Sequence, residues 1–111
     1  MQEHELTAWL GDTPTTDEQR ASLHRAADMT DTRYGEDDDR QAAFTAAAQV
    51  ILGDATLDEL AEAWTTARKA ERDAMAALTG ALIAESETTS ENALATRTGI
   101  TRMTIRKALG K

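Results

Sequence analysis

The stretch from Ser90 to Lys111, SENALATRTGITRMTIRKALGK, leaves a chain few ways to fold. Leu94 and Ala95 close a short helical run, and Gly99 stands four residues after Ala95. Ile100 follows, Thr101 can cap a second helix, and Ile105, Ala108 and Leu109 give that helix an apolar face. The spacing predicts two helices crossing through a turn of roughly three or four residues, the helix-turn-helix unit. Ala95 must be small because the second helix passes close to it. Glycine at position 99 supplies the positive φ that ends the first helix. The Thr101 hydroxyl accepts from the orphan N–H groups of the next turn. Arg102, Met103, Arg106 and Lys107 are then left on the outside of helix 101–109.

Charge gives that outer face a direction. The whole chain carries a net charge of −8, which taken alone argues against a nucleic-acid partner. Residues 1–87 hold 7 Lys/Arg against 19 Asp/Glu, whereas residues 88–111 hold Arg97, Arg102, Arg106, Lys107 and Lys111 against Glu91 alone. The first part is therefore −12 and the second +4. A basic end on an acidic body is the asymmetry expected of a DNA reader. The acidic body repels phosphate, so binding should depend strongly on the specific site and on salt.

The remaining sequence predicts helices. Residues 2–10 offer Leu6, Trp9 and Leu10, and Gly11–Asp12–Thr13–Pro14 breaks that run. Thr15 and Glu18 fit a capping box for a helix reaching about Met29, with Leu23, Ala26 and Ala27 as its apolar stripe. Residues 30–36 read as a loop. The run Glu36–Asp37–Asp38–Asp39 lacks the alternating ligand spacing of a calcium loop and suits a helix N-terminus, where carboxylates complement the macrodipole. The following helix, 38–52, is apolar nearly all round in its second half, which demands burial or a subunit interface. The short connection at Gly53–Asp54–Ala55 predicts antiparallel packing of the next helix against this one. Thr56 and Glu59 form a second capping box. From there Leu57, Leu60, Trp64, Ala67, Glu71, Ala74, Leu78 and Ala81 alternate steps of three and four. Residues 56–86 form either one helix or two broken near 69–72, and the stripe serves either an intramolecular core or a dimer seam. Met75, Leu78, Leu82 and Ile83 are expected to supply the first helix of a trihelical core, with 85–89 turning the chain into Ser90.

The segment SENALATRTGITRMTIRKALGK resembles the DNA-binding segment of the GntR family of bacterial transcription regulators. Members carry Ser-Glu-x-x-Leu-Ala and then Gly-Val-Ser-Arg-x-Thr-Val-Arg-x-Ala-Leu. The matching positions are Ser90, Glu91, Leu94, Ala95, Gly99, Ile100, Thr101, Arg102, Thr104, Ile105, Arg106, Ala108 and Leu109. The resemblance implies that Arg102 and Arg106 reach base edges, a role suited to arginine because it can pair with guanine O6 and N7 together. Met103 and Lys107 share that face and are expected to join them. The resemblance also implies phosphate contacts from Thr101 and Thr104, and a weaker contact from Asn92, where the family often has a basic residue. Ser90 and Arg97 complete the expected phosphate set. The family continues into a β-wing and an effector domain, whereas this sequence ends at Lys111, so induction by a small molecule is not expected.

Other chemistry finds little support. There is no cysteine, so thiol nucleophiles, disulfides and thiolate metal sites are excluded. His4 and His24 lack a partner at metal-ligand spacing, and no nucleophile set, phosphate loop or supported carboxylate pair occurs. Trp9 and Trp64 lie in the acidic part and suit core or interface packing. No apolar run approaches the roughly 18 residues of a membrane span. Neither an enzyme nor a cofactor or metal is expected. The expected fold is all-α, a helical bundle with a C-terminal trihelical helix-turn-helix. Residues 1–70 would form an acidic helical domain for dimerisation or partner binding, and 71–111 the DNA-binding domain. The expected function is sequence-specific binding of double-stranded DNA by a dimeric bacterial regulator, most simply a repressor, in the cytoplasm at the nucleoid. Plasmid partition or phage control would use the same mechanism. The rival class is an acidic interaction module or adaptor for a basic partner such as RNA polymerase or a toxin.

Overall fold

The computed structural model describes residues 1–111. The fold is all-α, with six helices: α1 Glu3–Leu10, α2 Asp17–Arg33, α3 Asp37–Leu52, α4 Leu57–Glu85, α5 Glu91–Thr98 and α6 Arg102–Ala108. They divide into two compact units, Met1–Glu62 and Ala63–Lys111, a boundary that falls earlier than the expected break after residue 70. No helix is long and apolar enough to cross a membrane.

In the first unit, α1, α2 and α3 bury Leu6, Leu10, Leu23, Ala27, Phe44 and Ala48 in one cluster. Trp9 sits at its margin, its ring edge-on to Phe44 with centroids 5.1 Å apart. The capping box of α2 is one residue later than expected. The motif fits both Thr15/Glu18 and Thr16/Gln19, and the structure uses the second. Thr16 Oγ1 accepts from Gln19 N–H at 3.0 Å, and Gln19 Oε1 accepts from Thr16 N–H at 2.9 Å. Thr15 is thereby left to receive Arg20, which also donates to Glu3 from Nε at 2.9 Å. Glu3 pairs with His24 as well. The helix also outruns its expected end near Met29. The hydroxyls of Thr30 and Thr32 fold back onto the carbonyls of Ala27 and Asp28, at 3.1 and 3.0 Å. Satisfied within the helix, these threonines no longer compete with it, and the anticipated loop shrinks to the residues around Tyr34–Glu36. Asp37, Asp38 and Asp39 occupy the first turn of α3.

Helix α4 is a single element of 29 residues, which settles the choice between one helix and two. At a rise of 1.5 Å per residue it is about 43 Å long. The stretch where a break was considered is bridged by Lys69 Nζ to Asp73 Oδ2 at 2.7 Å, one turn on. Thr56 Oγ1 caps its start by accepting from Glu59 N–H at 3.1 Å.

One expectation about α4 fails. Every residue from 61 to 77 is exposed. The buried face of α3, Phe44 and Ala48, is already committed to α1 and α2. The three-four stripe is therefore not a core stripe over this length. Leu57 remains 74% exposed and Trp64 61% exposed, the latter with the Arg68 guanidinium 4.8 Å from its ring centroid.

The second unit builds its core from the C-terminal part of α4 with α5 and α6. Leu82, Leu94 and Ile105 are buried together, flanked by Leu78, Ala95, Ile100, Ala108 and Leu109. Met75 and Ile83, expected among them, stay 39% and 54% exposed. Leu78 and Leu82 lie four apart on the facing stripe of α4, whereas Ile83 is turned about 100° further round.

Candidate nucleic-acid interface

Three short signals position α5 and α6. Ser90 caps α5, its Oγ accepting from Ala93 N–H at 3.2 Å. Gly99 ends α5 in the left-handed conformation, with φ +74°, and donates to Ala95 O at 3.0 Å. A Cβ at Gly99 would meet nothing within 4 Å, so glycine is there for its backbone and not for room. Thr101 then caps α6, accepting from Thr104 N–H at 3.3 Å. The two helices pack against each other around the buried Leu94 and Ile105, with Ala95 and Ile100 partly buried against that cluster.

This packing turns Arg102, Met103, Arg106 and Lys107 outward, and all four are exposed. Met103 reaches into solvent as the most exposed large apolar side chain of the chain. Lys107 makes no ion pair. The arginines are held differently from expectation. Glu91, in the first turn of α5, accepts from Arg102 Nε at 3.4 Å and from Arg106 Nη1 at 3.0 Å. Lys111 Nζ donates to its other oxygen at 3.0 Å. Glu91 is only 16% exposed, while Arg102 and Arg106 keep 58% and 47% of their side-chain surface in solvent. The guanidiniums are therefore tethered across the α5–α6 face and still open to a partner. Hydrogen bonding from Lys111 first, then from Arg106 and Arg102, outweighs partial burial and holds the Glu91 carboxyl down at about 2.

Of the expected phosphate-contacting residues, Thr101 and Thr104 stand at the start of α6. Asn92 and Thr104 are exposed, and the Thr104 hydroxyl lies 3.0 Å from that of Thr101. Arg97 is drawn away toward Glu85, at 3.4 Å, and belongs more to the α4–α5 side than to α6. Ser90 spends its acceptor on the helix cap. Glu91 and Lys111 belong to this cluster and were not expected in it. One signal could have found the first: Glu91 is the lone carboxylate among five cations in residues 88–111.

The arrangement offers an exposed short helix carrying three cations and a flexible thioether, presented on a well-capped two-helix platform. Such a surface can meet a row of phosphates and base edges, where a guanidinium makes two parallel hydrogen bonds. No family model, curated protein or solved structure gives a significant match to the chain.

Proposed function

We propose that this protein is a sequence-specific double-stranded DNA-binding regulator that lays α6 in the major groove. Arg102 and Arg106, with Met103 and Lys107, would contact base edges, and Ser90, Asn92, Arg97, Thr101 and Thr104 would hold or border phosphates. The reading rests chiefly on one observation, the exposed Arg102–Met103–Arg106–Lys107 face of α6. A helix of 7 residues makes few base contacts. Two copies, associated through residues 1–70, would multiply the discrimination by reading two half-sites. Repression of transcription in the cytoplasm is the simplest use, and no catalytic role, cofactor or effector is needed for it.

The test is retention of DNA fragments selected by the purified protein, measured at fixed salt. Arg102→Ala and Arg106→Ala should each lose about 1–3 kcal/mol of base discrimination. Unchanged discrimination in both variants would end the proposal.

A second reading draws on the engagement of both arginines by Glu91 and on the −12 charge of residues 1–87. In it the chain is an adaptor whose acidic helices bind a basic protein such as a polymerase subunit or toxin. Salt separates the two readings. A DNA reader shows a steep fall of log affinity with log salt, whereas an adaptor shows no retention on DNA even at low salt.

A further inference from the structure

A cavity of about 370 Å³ lies between α1, α2 and α3, and every residue lining it belongs to the first unit. Its walls descend from a charged rim to an apolar floor. On α2 the descent runs from Asp31 to Ala27, and on α3 from Asp37 through Arg40 to Phe44. Ala27 and Phe44 are buried, whereas the Asp37 side chain is 90% exposed. On α1, the indole of Trp9 stands beside Phe44, and Glu5 lies one turn before it.

The charges of this rim are unevenly matched. Arg40 is held by Asp37, and the N-terminal ammonium stands 3.8 Å from Asp28. The carboxylates of Glu5 and Asp31 have no hydrogen-bond or ion-pair partner. Asp31 also sits in the last turn of α2, where a carboxylate opposes the helix dipole, so the helix gains nothing from it. The unit as a whole deepens the imbalance. Residues 1–62 hold four arginines and no lysine against 15 Asp/Glu, a net −11. Such a field draws cations, and an aromatic floor favours one that carries apolar surface.

We propose that this cavity receives an arginine or lysine side chain from a basic segment of a partner protein. The methylenes lie against Trp9 and Phe44, and the cationic end meets Glu5 and Asp31. An anionic ligand would face two unpaired carboxylates, and an uncharged one would gain nothing from them. A bare metal ion does not fit, because no three His, Asp or Glu side chains are placed to hold one. A protein segment suits the site better than a lone amine. Glu36, Asp38 and Asp39 continue the acidic rim past Asp37 and can meet flanking bases of the same segment. The proposal concerns the first unit alone and stands whether or not α6 reads DNA.

The probe is a capped Lys-Gly-Arg-Gly-Lys peptide titrated into the full chain. Amide shifts should move at Glu5, Trp9, Asp31 and Phe44 and stay still in α5 and α6. With Trp64→Phe, Trp9 is the remaining tryptophan, and its emission should change along the same curve. Replacing the peptide's arginine by neutral citrulline should abolish the Trp9 response. Glu5→Gln with Asp31→Asn should weaken binding roughly threefold or more at unchanged helicity, because neither side chain holds a contact. Asp12→Asn with Glu18→Gln removes the same charge elsewhere on the unit and should weaken it far less. N-acetylargininamide should bind more weakly than the peptide, and Asp38→Asn with Asp39→Asn should narrow that difference. A citrulline peptide that still moves Trp9 overturns the proposal, as does equal weakening by the two pairs of neutral variants, which would leave overall charge as the cause. N-acetylargininamide binding as tightly as the peptide overturns the protein segment.

Discussion

Replacing Ile105 by alanine tests whether the second unit folds on a core of its own. Ile105 is fully buried, and only Leu82 and Leu94 share its depth in that cluster. With so few neighbours the walls have little freedom to close over the space left behind. A buried isoleucine cut to alanine costs about 2–5 kcal/mol. A unit the size of Ala63–Lys111, at roughly 0.05–0.15 kcal/mol per residue, holds only about 2.5–7 kcal/mol. The substitution should therefore consume most of the stability of this unit and none of that around Leu23 and Phe44. Hydrogen exchange resolved by residue is the assay. Amides of α5 and α6 should lose protection, and DNA retention should vanish, while amides near Leu23, Ala27 and Phe44 keep theirs. Loss of protection in both cores together would refute the argument, since it would mean one cooperative structure in place of two.

Glu91→Gln should raise retention on non-cognate DNA and flatten the difference between cognate and random fragments, read by competition binding. The same residue has a pH signature. Because its folded value is depressed from 4.5 to about 2, its stabilisation is complete above about 4.5 and is lost as pH falls through about 2. An acid titration of helicity in wild type but not in Glu91→Gln should show that component. Gly99→Ala forces a side chain into the left-handed region at φ +74° and should destabilise the second unit by about 1–2 kcal/mol, seen as a lower Tm. Thr16→Ala removes the α2 cap and should cost the first unit about 1 kcal/mol, with Thr15→Ala much milder.

Much of the second unit was legible in sequence because its signals are local. Ser90, Gly99 and Thr101 each act within a few residues, and the four-residue spacing of Leu78 and Leu82 selects one face of α4. Misplaced boundaries arose where two local solutions compete. Thr15 and Thr16 both satisfy the capping rule, and only the side chain of Arg20, seeking Glu3 from a neighbouring helix, distinguishes them. Thr30 and Thr32 read as loop formers until their hydroxyls find helix carbonyls. The fate of the α4 stripe was not legible at all, because periodicity reports that a face is apolar and not which chain covers it. Glu91 escaped for a related reason. Its partners Arg102, Arg106 and Lys111 lie 11, 15 and 20 residues away, and no helical spacing links them.

The Glu91 cluster also sets a threshold. Three cations that already share a carboxylate are not idle charges awaiting any polyanion; they must be exchanged from one anion to another. A groove that offers only backbone oxygens returns little more than Glu91 already provides. One that presents guanine edges at the right step returns two hydrogen bonds per guanidinium in addition. On the proposed reading, the carboxylate works as an internal competitor, and a promiscuous encounter would be released before a correct one.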